Sequence, residues 1–231
     1  MQQAHGKHEL VSVVIPTFNE AKNMAEVIEG VKENLKGYDY EIIVVDDVNS
    51  SDGTSSIARR HGARVLRDDV GKGSALLKGL KAARGDVLVS MDADLSHEPK
   101  ELRLLIDAIN IGYDVCMGSR FITGGGSEDI PPLRVFGNKA FVLLVNLLFG
   151  AHYTDMCYGY RSFRKGVLAK LGLKEHGFGI ETEINIKAVK RGLKVIEVPS
   201  TEKKRAAGDA KLHTFRDGWV ILGTILRNVL V

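Results

Sequence analysis

The chain has 231 residues, 44% of them hydrophobic, which is enough for one substantial core or at most two small ones. Its net charge of +3 is mild and its basic residues are dispersed, which argues against nucleic acid as a partner. The two cysteines, Cys116 and Cys157, have neither metal-site nor disulfide spacing and are typical of a reducing compartment.

Residues 1–9 are polar and lack the apolar core of a signal peptide, so we expect a flexible arm there. Short apolar runs then predict strands at residues 10–15, where Pro16 would stop the strand, and at 40–45, 63–66, 87–91 and 113–117. The segments between them have helical periodicity and predict helices at residues 24–35, 57–60, 71–83 and 99–109. This alternation predicts an α/β fold, with a mostly parallel sheet covered by helices on both faces.

Polar residues follow four of these strands at the point where each strand ends. They are residues 16–20, Asp46 with Asp47, Asp92 with Asp94, and residues 118–120. Ligands of parallel sheets sit beyond the carboxyl ends of the strands, so we expect these groups to converge. In a strand, Asp92 and Asp94 would point to the same side, and paired carboxylates suit Mg²⁺ or Mn²⁺ together with phosphate oxygens.

Beyond residue 120 the pattern changes. Residues 136–149 are strongly apolar but interrupted by polar residues, so the segment is short for a membrane span. A core helix and a helix lying on a membrane surface are equally compatible with it. A helix at 179–190, a strand at 193–198, a basic loop at 202–211 and an apolar helix from residue 215 follow. We therefore expect one domain at residues 10–212 and an amphipathic, interfacial helix at 213–231.

Taken together and in this order, the motifs resemble family 2 glycosyltransferases of the GT-A fold, which is Rossmann-like. The likeness is greatest to the polyprenyl-phosphate group that includes the dolichyl-phosphate mannose synthases. The matching residues are Val14-Ile-Pro-Thr-Phe-Asn-Glu20, Val44-Val-Asp-Asp47, Ser51-Asp-Gly-Thr54, Gly71-Lys-Gly73, Met91-Asp-Ala-Asp-Leu-Ser-His97, Gly118-Ser-Arg-Phe121, Arg134, Tyr158-Gly-Tyr-Arg161 and the loop 205–211. Each motif alone is weak, whereas the ordered set is specific and covers nearly the whole chain.

The resemblance implies a nucleotide-sugar site. Its nucleoside pocket would be lined by Pro16, Phe18, Glu20, Val45 and Asp47. The ribose, the metal (Mg²⁺ or Mn²⁺) and the diphosphate would be contacted by Asp92, Ala93 and Asp94, with Ser96 as a further metal ligand. The charge of the phosphates would be met by Arg120, Arg134, Arg205 and Lys211, the last two from a mobile lid. Asp94, Arg120 and Arg134 would be the catalytic residues. Ser96 stands where mannose synthases of this group often have Gln, and Val48 looks like an inserted residue.

The implied reaction is an inverting, metal-dependent transfer of a hexose to a polyprenyl (dolichyl) phosphate at the cytoplasmic face of a membrane. GDP-mannose is the favoured donor and UDP-glucose the alternative. A phosphate acceptor is ionised near neutral pH and needs orientation more than it needs a general base. With a hydroxyl acceptor, Glu181 or Glu183 would be the candidate base, although both also suit the start of a helix.

Two other classes of protein fit less well. A sugar nucleotidyltransferase needs an early glycine-rich, basic loop, whereas residues 16–20 supply an acid. The paired carboxylates of Asp92 and Asp94 argue against a non-catalytic sugar-nucleotide-binding subunit, whereas Ser96 leaves that alternative open. The sequence therefore favours an enzyme.

Overall fold

The computed structural model of the chain describes residues 9–205 and 214–229. The strands within these residues are β1 Val11–Thr17, β2 Tyr40–Asp47, β3 Arg64–Asp68, β4 Val87–Ser90, β5 Val115–Ser119, β6 Gly126–Ser127, β7 Arg161–Arg164, β8 Val195–Pro199 and β9 Thr201–Glu202. The helices are α1 Ala21–Asn34, α2 Thr54–Arg60, α3 Lys72–Ala82, α4 Leu102–Asn110, α5 Pro132–Phe149, α6 Val167–Leu171, α7 Ile180–Lys190 and α8 Thr214–Val229. A short 3₁₀ turn, Pro99–Glu101, leads into α4.

Seven strands form one sheet in the order β3-β2-β1-β4-β7-β5-β8. Neighbouring strands are parallel, except that β7 runs antiparallel to both β4 and β5. The short strands β6 and β9 pair with each other outside this sheet. The predicted α/β fold with a mostly parallel sheet is therefore confirmed.

Helices cover both faces of the sheet, and each face has its own apolar core. Along β1, Val13 and Ile15 pack into the core shared with α1 and α4, whereas Val14 packs into the core shared with α3 and α7. This alternation follows from the two-residue period of a strand, and it explains why β1 is buried along its whole length.

Strand β1 continues through Pro16 instead of stopping there as predicted. The strand β4 pairs with Val11–Val14 only, and the carbonyl of Val14 accepts the last bond on that side from the N–H of Met91. Pro16 lies two residues further along the same edge, where β4 has already ended, so the N–H that proline lacks is not needed.

Helix α5 is long and only partly buried, with Phe141, Val142, Leu144 and Phe149 packed against the core, so the interpretation of residues 136–149 as a core helix is wrong. Only Asn138 and Val145 of α5 are buried. Large apolar side chains on α5 and on the neighbouring α8 remain 72–76% exposed, including Phe136, Phe215 and Trp219. Among the described residues, α5 is the one helix whose length and composition would allow it to cross a membrane.

Candidate active site

A cavity of about 550 Å³ opens at the carboxyl ends of β1, β2 and β4 and continues between α5 and α8. Most of the residues predicted from the sequence line it, namely Pro16, Phe18, Glu20, Asp47, Asp92, Ala93, Asp94, Ser96, Arg120, Arg134 and Arg205. Its far end is apolar and includes Leu133, Phe136, Phe141, Phe215 and Ile221. One continuous cavity therefore joins a polar, charged end to an apolar mouth.

Two of the predicted residues are not among the residues that line this cavity. The side chain of Val45 is fully buried in the core against α3, where it would contact any Cβ added at Gly79. Val45 therefore supports the floor of the cavity from beneath. Lys211 lies outside the described residues, so its predicted role stays a prediction.

The loops that follow β1 and β2 are tied to each other. The N–H of Ala21 donates to Asp52 Oδ2 at 2.8 Å, and the N–H of Glu20 donates to Thr54 Oγ1 at 2.9 Å. The carboxylate of Glu20 accepts a 2.8 Å bond from Asn23 Nδ2 and is buried. These bonds fix an acidic group at the polar end of the cavity.

Asp92 and Asp94 lie in a tight loop after β4, which ends at Ser90, so the strand geometry from which the sequence predicted a shared direction does not apply to them. The loop turns at Leu95, whose φ of 65° is in the left-handed region. Asp94 Oδ1 accepts bonds from both the N–H and the hydroxyl of Ser96, at 3.0 and 2.6 Å. Thus local hydrogen bonds, not the period of a strand, bring the two carboxylates to the cavity.

His97 holds this loop from behind. Its ring stacks on Tyr160 with the centroids 4.7 Å apart, and it meets Tyr158 edge-on at the same distance. Nδ1 accepts a 3.0 Å bond from the N–H of Asp92, so a neutral ring carries its proton on Nε2. Burial lowers the pKa of His97 despite the nearby carboxylates. The residue is therefore a neutral positioning group at pH 7.

Each carboxylate of the pair contacts a cation. Lys72 Nζ lies 3.0 Å from Asp92, and Arg205 Nη2 lies 2.7 Å from Asp94. Burial alone would raise the pKa of Asp92, but the charge and hydrogen bond of Lys72, together with the other positive groups nearby such as Arg205, outweigh it and hold the pKa at about 2. Asp92 is therefore ionised throughout the physiological range. The pKa of Lys72 is raised, because its two carboxylate partners outweigh the effect of its own burial.

The donor set of this site fits a hard divalent cation. Asp92, Asp94 and Ser96 offer only oxygen atoms, which Mg²⁺ and Mn²⁺ prefer. Within residues 9–205 and 214–229, no three Asp, Glu, His or Cys side chains are grouped so that they could hold a metal. An incomplete oxygen set of this kind suits an ion that takes its remaining ligands from substrate phosphates and water.

Arg120 is buried and held on several sides. Its guanidinium contacts both oxygens of Asp155, at 2.7 and 2.9 Å, and Glu202 at 3.1 Å. It also lies over the ring of Tyr158, 4.8 Å from the centroid. These bonds engage three of the five N–H donors and raise the pKa of Arg120 against the effect of burial. Arg120 is thus a fixed positive charge on the cavity wall.

Several residues in and around the cavity carry no sequence signal for their role. Asp155 and Glu202 are 35 and 82 residues from Arg120, so only the fold pairs them with it. Lys72 stands in a motif noted above, yet nothing local indicates that it contacts Asp92. Asn138 of α5 lines the cavity and is buried, and its Nδ2 has no hydrogen-bond partner among the described residues.

The two glutamates considered as a base have other contacts. Glu183 accepts bonds from the N–H groups of Lys174 and Glu175 and pairs with Lys187 at 2.6 Å, so it holds a loop. Glu181 is 5% exposed and lies 3.2 Å from Lys72. Neither glutamate is among the residues that line the cavity.

A family model described as "Glycosyl transferase family 2" matches residues 12–172. A dolichol-phosphate mannosyltransferase from Pyrococcus furiosus is 39% identical over 87% of this chain, although the chain spans only 59% of that relative's length. A polyprenol monophosphomannose synthase from Mycolicibacterium smegmatis is 34% identical over 87% of this chain and 80% of its own. A dolichyl-phosphate hexose transferase from Haloferax volcanii is 34% identical over 95% of this chain and 94% of its own.

Among solved structures, a glucosyl-3-phosphoglycerate synthase from Mycobacterium tuberculosis, crystallised with Mn²⁺ and UDP, superposes with a TM-score of 0.77. The match covers 96% of this chain and 81% of the other at 24% identity. A mycobacterial protein gives a TM-score of 0.80 at 21% identity, over 96% of this chain and 75% of the other. At these identities the likeness carries the fold alone, and the predicted GT-A fold is confirmed.

Proposed function

Because the chain belongs to glycosyl transferase family 2, we propose that it transfers a hexose, mannose first, from a nucleoside diphosphate sugar to a polyprenyl phosphate. The resemblance to polyprenyl-phosphate mannose synthases, which the sequence motifs indicated, is confirmed by relatives of that name. One observation carries the proposal. A single cavity runs from paired carboxylates at the strand ends to an apolar mouth between α5 and α8.

The donor would occupy the polar end of the cavity. Asp47 and Glu20 lie where a nucleoside would bind, and Asp92 with Asp94 would hold Mg²⁺ or Mn²⁺. Such an ion, when bound, acts as a Lewis acid that stabilises charge developing on a diphosphate leaving group. Arg120 and Arg134 supply fixed positive charge beside it, and a guanidinium binds phosphate oxygens in pairs.

The acceptor phosphate needs no residue to remove a proton. Its second pKa is about 6, so it is already a nucleophile at pH 7. This agrees with the surroundings of the two candidate bases, because Glu181 is paired with Lys72 and Glu183 is paired with Lys187. The residues of the site therefore act by orienting two anions. In-line attack inverts the anomeric carbon and gives a β-linked product from an α-linked donor.

The apolar mouth would admit the lipid chain at a membrane surface. Exposed Phe136, Phe215 and Trp219 stand beside the exposed cations Lys139 and Arg216 on α5 and α8. Apolar side chains that enter the acyl region, flanked by cations at the headgroups, are typical of interfacial helices. We propose peripheral attachment at the cytoplasmic face, where free thiols such as the two in this chain persist.

The test is transfer of radiolabel from GDP-mannose or UDP-glucose to dolichyl phosphate, measured in the organic phase with Mn²⁺ or with EDTA. We expect label from GDP-mannose with Mn²⁺ and a loss of about 100-fold in Asp94→Asn. Asp107→Asn removes an exposed carboxylate on α4 that does not line the cavity, and it should behave as the wild type.

Each alternative gives a different result. Better transfer from UDP-glucose than from GDP-mannose would identify glucose as the transferred sugar and would leave the proposed reaction class unchanged. Free sugar in the aqueous phase with no lipid product would indicate hydrolysis or a hydroxyl acceptor. Nucleotide binding without turnover of either donor would indicate a non-catalytic subunit and would overturn the proposal.

A further inference from the structure

We propose that Lys72 is a resident counter-ion of the metal site, and that Glu181 receives it when a divalent cation binds Asp92. In this arrangement the Lys72–Glu181 pair sets the affinity of the site for the cation. The inference rests on the metal dependence in the proposed function. It assigns to Lys72 and Glu181 a role in positioning charge, not in the chemical step.

The ammonium group of Lys72 lies between two carboxylates. It is 3.0 and 3.2 Å from the two oxygens of Asp92, and 3.2 Å from Glu181. Lys72 and Asp92 line the cavity, whereas Glu181 is 5% exposed and is not among the lining residues. Glu181 thus stands behind Lys72 as seen from the metal ligands, and the charge of the buried Arg161 also acts on its carboxylate.

The backbone of Lys72 is held rigidly, so only its side chain is free to move. A Cβ on Gly73 would come within 2.7 Å of the carbonyl oxygen of Gly177, which shows how closely the start of α3 packs on that loop. The N–H of Ser74 donates to the carbonyl of His176 at 3.0 Å and holds the same contact. Movement of the ammonium group between partners would therefore require only rotation within the side chain.

The position is unfavourable for a lysine on local grounds. Lys72 is the first residue of α3, where the helix dipole disfavours a positive charge, and the first turn of α3 contains no acidic residue. Its place is therefore explained by Asp92 and Glu181 rather than by the helix. A residue that breaks a local preference in this way is expected at functional sites.

Charge repulsion would move the Lys72 ammonium group from Asp92 toward Glu181 when a cation binds. A divalent ion bound at about 2.1 Å from an Asp92 oxygen would strongly repel an ammonium group that contacts the same carboxylate. Glu181 offers that ammonium group a second partner that is itself buried. The companion contact at Asp94 has a different origin, because Arg205 belongs to the loop after β9, although the side chains of Lys72 and Arg205 are similarly exposed, 26% and 23%. Lys72 is thus the counter-ion supplied by α3 and Arg205 the one supplied by that loop.

The test is a titration with Mn²⁺ alone, followed by the electron paramagnetic resonance signal of free Mn²⁺, on folded variants without nucleotide. Lys72→Met removes the competing charge, and we expect the affinity for Mn²⁺ to rise about fivefold. Glu181→Gln removes the alternative partner and should weaken binding about fivefold. The double variant, which removes the pair as a unit, should lie between the two single variants.

Two controls make the titration specific. Lys187→Met removes a lysine that pairs with Glu183 on α7, outside the cavity, and it should bind Mn²⁺ as the wild type does. Asp94→Asn should abolish binding. Weaker binding in Lys72→Met, or equal affinities in all variants, would overturn the inference. Equal binding in the wild type and in Asp94→Asn would overturn both the inference and the metal site. Absence of sugar transfer, with the predicted order of affinities intact, would instead contradict only the proposed function.

Discussion

Arg120 and Asp155 form a buried ion pair that fixes the position of the Arg120 charge and adds little to stability. The side chains are 6% and 1% exposed, and the guanidinium contacts both carboxylate oxygens. Taking both charges out of water is costly, so the pair contributes little net stability. Removing one partner is different, because the other charge is then left buried and uncompensated. The pair therefore fixes a positive charge at the cavity wall. The stability of the folded chain then depends on Asp155, because without it the Arg120 charge is left buried and uncompensated.

We expect Asp155→Asn to lower the free energy of unfolding by about 3–5 kcal/mol. Lys32→Gln is the matched control, because it breaks an ion pair with Glu29 in which the two side chains are 32% and 55% exposed. An exposed pair of this kind is worth at most about 1 kcal/mol. Urea unfolding of the two variants measures the difference. Equal losses would contradict a buried, position-fixing role for Asp155.

Both cysteines have thiols whose ionisation is suppressed. Burial raises the pKa of Cys116 to about 12, and burial together with Asp155 raises that of Cys157 to the same value. Both groups are therefore protonated at pH 8, whereas a free cysteine with a pKa of about 8.5 is partly ionised. We expect iodoacetamide to leave both thiols unmodified at pH 8, although Cys157 lines the cavity.

Mass spectrometry of the native and the urea-unfolded chain checks this prediction. Both thiols should react after unfolding, and the native rate should rise about tenfold for each unit of pH until the pKa is approached. Rapid labelling of native Cys157 at pH 7 would show that its thiol is not suppressed.

The contact between the start of α3 and residues 176–177 positions Lys72. We expect Gly73→Ala to lower the free energy of unfolding by about 1–3 kcal/mol, because its Cβ would meet backbone atoms of His176 and Gly177. Gly177→Ala is the matched control on the other side of this contact, since nothing lies within 4 Å of its added Cβ. Urea unfolding compares them, and equal stabilities would show that the contact is loose.

Helices α5 and α8 provide a direct optical test of membrane attachment. Trp219 is the only tryptophan of the chain and is 72% exposed on α8. We expect its fluorescence to shift to shorter wavelength when anionic phosphatidylglycerol vesicles are added, because the indole leaves water. An unchanged spectrum at saturating lipid would contradict attachment through α8.

The cations beside this apolar surface should strengthen the attachment. Replacing Lys139, Arg216 and Arg227 with Gln should weaken binding to anionic vesicles by about 1 kcal/mol for each cation removed. Replacing Lys22, Arg59 and Arg60, which are exposed on α1 and α2, is the matched control and should have little effect. Co-sedimentation with vesicles measures both, and equal losses would indicate attraction by overall charge instead.

At the scale of the whole molecule, the sequence predicted what depends on local pattern. The alternation of apolar runs and helical periods predicted the α/β fold, because central strands such as β1 and β4 are buried along their whole length and amphipathic helices such as α1 bury one face. The polar ends of β1, β2 and β4 converge on one cavity as expected, because parallel strands bring their carboxyl ends to one edge.

What could not be predicted depends on contacts between distant residues. Strand β7 has charged arginines at both ends and no alternating pattern, and it is a strand only because β4 and β5 pair with it. The loop after β4 is shaped by Ser96 and His97 rather than by strand geometry. The partners of Arg120 likewise lie far along the chain.

We propose that a phosphate acceptor attacks the anomeric carbon of the donor from the apolar end of the cavity. The most direct test is nuclear magnetic resonance of the lipid product formed from α-linked GDP-mannose with Mn²⁺ and dolichyl phosphate. We predict one mannose per phosphate, linked in the β configuration. An α-linked product, or free mannose without a lipid product, would contradict direct transfer to the phosphate.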